Sequence, residues 1–230
     1  MPSRAPKEAH MDNKALYTLQ YGVFLLGTKN ADGTKINACI TNTCFQAANS
    51  PTRIAISVIK QNLTCEMLEE SGEFALSVLA KDCSLETIKR FGYQSGRTAD
   101  KFAGFEYATA NNACPYLKNE ACAVIEAKVC NKLDLGSHMH FVAEVTDARL
   151  LGNAEPLTYA YYQSDIKNKV DGAGSGSGAG AGNSAGPERK IKGWRCKICG
   201  YEFDGSELPA DFECPICGHP ADDFEPIYAD

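Results

Sequence analysis

No apolar run in this sequence is long enough to cross a bilayer; stretches such as "VFLL" and "IAISVI" are only strand-length. The opening "MPSRAPKEAHMDNKALY" lacks the apolar segment that precedes a secretory cleavage site. No Rossmann glycine fingerprint and no Walker loop occurs, so neither of those nucleotide folds is expected. Beyond Lys197 there is no lysine or arginine, while nine acidic residues follow. Such a surface is a poor match for nucleic acid and a good one for a protein with a basic docking patch. The expectation is a cytoplasmic protein with no membrane or nucleic-acid partner.

Cysteine, by contrast, is abundant: eleven in 230 residues. Four form two terminal C-x-x-C pairs, leaving Cys39, Cys44, Cys65, Cys83, Cys114, Cys122 and Cys130. Seven is an odd number, and the spacings are irregular and mostly within apolar segments. A disulfide framework would look different, so these read as reduced, buried small hydrophobes in a reducing compartment. The net charge of −6 is uneven, because residues 187–230 carry five basic and ten acidic side chains.

Composition divides the chain. Met11 directly after His10 suggests an added leader over residues 1–11. Residues 12–170 form a first domain and 189–230 a second. Between them "DGAGSGSGAGAGNSAGPE" (171–188) offers nothing to pack and reads as a coil spanning about 20–24 Å. The first domain reads as mainly β. Strands are expected over 21–28, 35–43, 52–60, 72–80, 121–133 and 138–151, with turns at "NADGT" and "ANSPT". Helices are expected over 65–71 and 84–92. Strands in succession with few helices favour a closed or Greek-key barrel over a doubly wound sheet.

Cys196-x-x-Cys199 and Cys214-x-x-Cys217, fourteen residues apart, have the spacing of a tetrahedral tetrathiolate site. Gly200 and Gly218 follow the pairs and can turn backbone amides toward sulfur, which suits iron and zinc alike. Trp194, Tyr201, Phe203, Phe212 and Phe224 supply an apolar wall. "W-x-C-x-x-C-G-Y-x-F" and "D-F-x-C-P-x-C-G…D-D-F-E" resemble rubredoxin over residues 194–225. That resemblance implies a single Fe(Cys)4 centre carrying one electron, with a zinc ribbon as the alternative.

The first domain resembles the flavin reductase-like, FMN-binding split-barrel family over roughly residues 17–167. "YGVFLLGTKNADGTKINACITNT" matches its opening hairpin, implying that Asn37, Ala38, Cys39, Ile40 and Thr41 run along the isoalloxazine. "ISVIKQNLTCEML" offers Lys60, Asn62 and Thr64 at a helix N-terminus, a natural phosphate seat. "SGRTADKFAGFEY" adds Arg97 and Lys101 as flavin or nucleotide contacts. "LGSHMHFVAEV" resembles the family's G-D-H segment near the nicotinamide, with Gly136 and His138 matching and Ser137 in place of the aspartate.

The two resemblances in this order are similar to the high-molecular-weight rubredoxins of anaerobic bacteria. They imply oxidation of NADH at FMN, single electrons passed to iron, and delivery to a flavodiiron protein that reduces oxygen or nitric oxide. They also imply a homodimer through the flavin domain. Two alternatives stay open: a reductase releasing reduced flavin or ferrous iron, and a non-enzymatic flavin and zinc module.

Overall fold

The computed structural model describes residues 18–167, 191–196, 202–210, 212, 214 and 221–228. Strands β1 (Phe24–Lys29) and β2 (Ile36–Thr41) form an antiparallel hairpin. In its turn the Thr34 amide donates to the Asp32 carboxylate at 2.9 Å, the local chemistry that "NADGT" encodes. A second hairpin joins β3 (Cys44–Asn49) to β4 (Thr52–Ile59).

Helix α1 (Leu63–Ser71) stops at Gly72, whose left-handed φ of 67° lets its amide donate to the Leu68 carbonyl at 2.9 Å. After β5 (Glu73–Leu79), α2 (Leu85–Gly92) is capped by Ser84, which accepts from the Thr87 amide at 3.2 Å. A short pair, β6 (Ala108–Thr109) and β7 (Pro115–Tyr116), precedes the long hairpin of β8 (Ala121–Asp134) and β9 (His138–Leu150). A helical turn α3 (Tyr159–Tyr161) then runs into π-helical backbone over Tyr162–Lys167.

Seven strands make one antiparallel sheet in the order β2-β1-β5-β8-β9-β4-β3. The sheet curls: Thr41 on edge strand β2 donates its hydroxyl to the Ser57 carbonyl of β4 at 3.2 Å, near the opposite edge. Inside the curl lie Leu26, Ile56, Phe74 and Phe141, all fully buried. A second cluster, with Leu25, Ile88, Phe91 and Leu157, fills the space between the opening hairpin and α2. Together they make a mainly β domain whose strands wrap one core and carry a helix-covered flank. A Cβ on Gly27 would lie 1.9 Å from the Pro115 carbonyl oxygen, so only glycine lets that backbone cross β1.

The expected strands all form, with shifted ends, and β3, β6 and β7 form where no strand is expected. The strand expected over 35–43 stops at Thr41, and β3 opens at Cys44 on the other edge of the sheet. The Thr43 amide donating to the Thr41 hydroxyl at 3.3 Å marks the switch. The segment after Glu155 is helical from Tyr159, capped by Thr158, which accepts from the Tyr161 amide at 3.2 Å.

In the C-terminal part, β10 (Ile191–Cys196), β11 (Glu202–Asp204) and β12 (Phe224–Tyr228) form a three-stranded sheet with β10 central. Among the described residues no helix is long and apolar enough to cross a membrane.

Candidate functional site

The sequence-derived site residues gather into three places. The first is a groove of about 860 Å³ beside the start of β2 and the N-terminal end of α1. Asn37, Glu66, Gly96, Arg97 and Lys101 line it. Asn37 is buried and donates through its side-chain amide to the Thr64 hydroxyl at 3.0 Å. Thr64 is not the cap of α1; that position is Asn62, whose side chain makes no capping bond. Thr64 lies one turn-position further in and is fully buried, so its hydroxyl orients Asn37 from below. A Cβ on Gly96 would sit 2.6 Å from the Asn37 amide, so glycine is what allows this loop to close on β2. Arg97 pairs with Glu66 at 2.6 Å, both half exposed.

Lys101 is the unusual cation. It is 2% exposed, and its ammonium donates to the carbonyls of Ala38 and Phe91, each at 3.0 Å. Burial pushes its pKa down, partly offset by Cys39. The lysine therefore clamps β2 to α2.

Along β2 the side chains alternate. Cys39 points into the barrel interior with Leu26 and Ile56, while Ala38 and Ile40 face the α2 cluster. Burial raises the Cys39 thiol pKa, which keeps it an inert neighbour. Thr41 ends the strand at the β4 contact already described.

The second place is the β8–β9 turn. Gly136 adopts φ 87°, a conformation that favours glycine, and its amide donates to the Asp134 carboxylate at 2.8 Å. His138 follows, its Nδ1 2.9 Å from the Ser137 hydroxyl. Lys60 belongs here and not in the groove: its ammonium meets Asp134 at 2.7 Å and its amide donates to the Ser137 carbonyl at 3.1 Å. Neighbouring His140 bonds Ser57 at 2.9 Å and stacks on Phe45.

Burial lowers the His138 pKa below its ordinary 6.5. The unfolded chain then takes up a proton that the folded chain refuses, so stability is lost as pH falls through 6.5. Urea midpoints of the parent should drop between pH 7.5 and pH 5.5 by more than those of His138→Gln. Equal drops would show that His138 contributes nothing to the slope.

The third place is the terminal module. Cys196 and Cys214, one from each C-x-x-C pair, are 1% and 2% exposed and share a cluster with Phe224. Phe203 and Phe212 pack edge-on with centroids 4.8 Å apart, and Phe212 and Phe224 do so at 5.4 Å. Trp194 flanks the cluster. Cys199 and Cys217, the other expected ligands, lie outside the described residues, as does Tyr201. Two buried thiols from separate segments, sharing one aromatic cluster, fit a thiolate-bound metal.

Glu66, Gly96 and His140 complete these clusters without any signal in the sequence, since each acts through a neighbour that only folding brings close.

Residues 16–168 match the flavin reductase like domain family, and residues 194–225 match the rubrerythrin, rubredoxin-like domain. The chain is 37% identical over 237 residues to the high molecular weight rubredoxin of Moorella thermoacetica, across 94% of this chain and 100% of that protein. It is 41% identical over 160 residues to the ferric-chelate reductase (NAD(P)H) of Archaeoglobus fulgidus, across 70% of this chain and 94% of the relative. The solved NADH:FAD oxidoreductase of Streptomyces globisporus superposes with a TM-score of 0.58 at 20% identity, across 67% of this chain and 93% of that chain. That likeness establishes the fold. The first domain implies a flavin and the second implies iron. Because one relative is matched from end to end by both parts in the same order, this chain belongs to the flavin reductase like family and, within it, to the high molecular weight rubredoxins.

Proposed function

We propose that the chain oxidises NADH at an FMN held along β2 and passes single electrons to its own iron centre and on to a flavodiiron acceptor. The observation that carries this reading is the buried Cys196–Cys214 pair on the same chain as the flavin reductase groove. Bound flavin would supply the conversion of a hydride into single electrons, and iron held by four thiolates would carry them. One hydride reduces two ferric centres and releases one proton.

The residues divide the work. Asn37 and Arg97 line the groove at the N-terminal end of α1, where helix amides favour a phosphate, with Asn62 at the cap of that helix and buried Thr64 holding Asn37. Arg97 would leave Glu66 for the stronger anion. Lys101 holds β2 in register with α2, so that Ala38, Cys39, Ile40 and Thr41 present a fixed edge. Gly136, His138 and Lys60 form the nicotinamide end. Phe45, stacked on His140 and 55% exposed, supports a homodimer through this domain. The acidic C-terminal part supplies a docking face for a basic patch on the acceptor.

Arg97→Ala should weaken FMN binding about tenfold, read by fluorescence titration of the flavin-free protein, whereas Lys60→Ala should leave it unchanged. Equal losses in both would move the phosphate away from the groove. The reading as a whole is tested by anaerobic NADH titration followed by visible absorption, with metal analysis. Flavin and iron–thiolate bands should both bleach. Bleaching of flavin alone, or one zinc per chain, overturns it.

The Archaeoglobus relative favours a second reading, in which the barrel reduces ferric chelates directly. Under that reading, ferric-chelate reduction survives loss of the C-terminal cysteines.

A further inference from the structure

Strand β4 alternates its side chains. Ile54, Ile56 and Val58 enter the barrel core, which leaves Ile59 at the strand end on the outer face. The register sets Ile59 directly across from His138 at the start of β9, so the two side chains are neighbours on that face. Ile59 packs against the C-terminal cluster of Cys196, Cys214 and Phe224. A second observation brings the same module to the barrel. Asp223, next to Phe224, is close enough to act on Tyr162, whose phenol is raised first by burial and then by its 2.5 Å hydrogen bond with Tyr93.

The geometry points to a seat on the barrel for the chain's own C-terminal module, with Ile59, beside His138, receiving the apolar wall of the metal site. An isoleucine at the end of a strand, next to exposed Lys60, gains a dry neighbour only when the module is down. Covalent attachment keeps the module at high local concentration, so a modest apolar contact is enough to populate the seated state. The purpose of the seat rests on the proposed relay, but its existence does not.

Two measurements on the full-length, cofactor-loaded protein test it. In the first, p-benzoylphenylalanine replaces Ile59, a substitution that keeps the site apolar, and the protein is irradiated and digested. Cross-links to the peptides carrying Trp194–Cys196 or Phe224 are expected; cross-links confined to the barrel overturn the seat. In the second, Ile59→Asp is mixed with NADH in an anaerobic stopped flow. With flavin bleaching as the internal reference, iron bleaching should slow about tenfold relative to it, the effect of lost seating. Unchanged iron bleaching in that variant overturns the seat and leaves the relay standing. A parent protein whose flavin never bleaches overturns the relay, and the cross-link alone then judges the seat. An unfolded Ile59→Asp protein likewise leaves the decision to the cross-link.

Discussion

Cys196→Ser is expected to abolish iron–thiolate absorption and one-electron delivery while leaving nicotinamide-driven flavin reduction intact. Cys196 ends the central strand β10, paired with Phe224 on β12, and is 1% exposed. A serine there places a hard, protonated oxygen where a soft thiolate is needed. Metal affinity should fall on the order of 100-fold or more. Cys214→Ser should do the same, because both sulfurs share one apolar cluster. The barrel shares none of these ligands, so its flavin content should not change. The measurement is paired: visible spectra with metal analysis, and rates with NADH using a flavodiiron protein as acceptor. Acceptor reduction at the parental rate in Cys196→Ser would show that electrons leave from the flavin domain directly, which is the outcome the ferric-chelate reading requires.

The second large effect is a loss of stability in alkali. Cys65, Cys83 and Cys114 are 1%, 7% and 0% exposed, and burial pushes each thiol from the ordinary 9.0 up to about 12. A raised folded-state pKa stabilises the folded chain below the unfolded value and is lost as pH rises through the interval between them. Here that interval runs from 9 to 12. At pH 10 each thiol removes on the order of 1 kcal/mol, and the three together a few kcal/mol, a large share of a typical domain's stability. Denaturant unfolding at pH 7.5 and pH 10, with reductant present, measures it. Cys83→Ala should recover about a third of the loss; a midpoint that is the same at both pH values would mean that these thiols ionise freely in the folded state.

The same cysteines show how much of the molecule is legible without coordinates. Cys65 is buried by its place on α1, where the helical period decides which side faces the core, whereas Cys83 and Cys114 sit in loops and are buried by tertiary packing. Six strands and the two longer helices of the first domain were readable from their period-two and period-3.6 patterns, as was the turn at "NADGT", whereas the exposed edge strand β3, the two-residue strands β6 and β7 and the short α3 carry no such pattern. Local signals ran out at the chain switch after Thr41. One more polar residue looks like strand continuation, yet the chain crosses to the opposite edge of the sheet because β4 offers Ser57 to Thr41.

The candidate flavin site divides in the same way. Residue types that bind phosphate and flavin were visible in "KQNLT" and "SGRTADK", because amide, hydroxyl and cationic side chains declare their chemistry wherever they occur. Their grouping was not visible. Lys60 lies two residues before Asn62 in sequence but is drawn to Asp134 on the β8–β9 turn, while Arg97 comes to the groove from 31 positions beyond Glu66. Lys101 reads as a flavin or nucleotide contact in sequence, but that it is a buried clamp emerges only in the fold, where two carbonyls from separate elements converge on it. Composition and spacing determined most of the strand pattern and the presence of two C-x-x-C motifs, both of which depend on neighbours along the chain. Which polar groups meet, and where Ile59 finds the metal cluster, depended on the curl of the sheet and the return of the C-terminal module, since contacts between distant segments exist only once the chain has closed on itself.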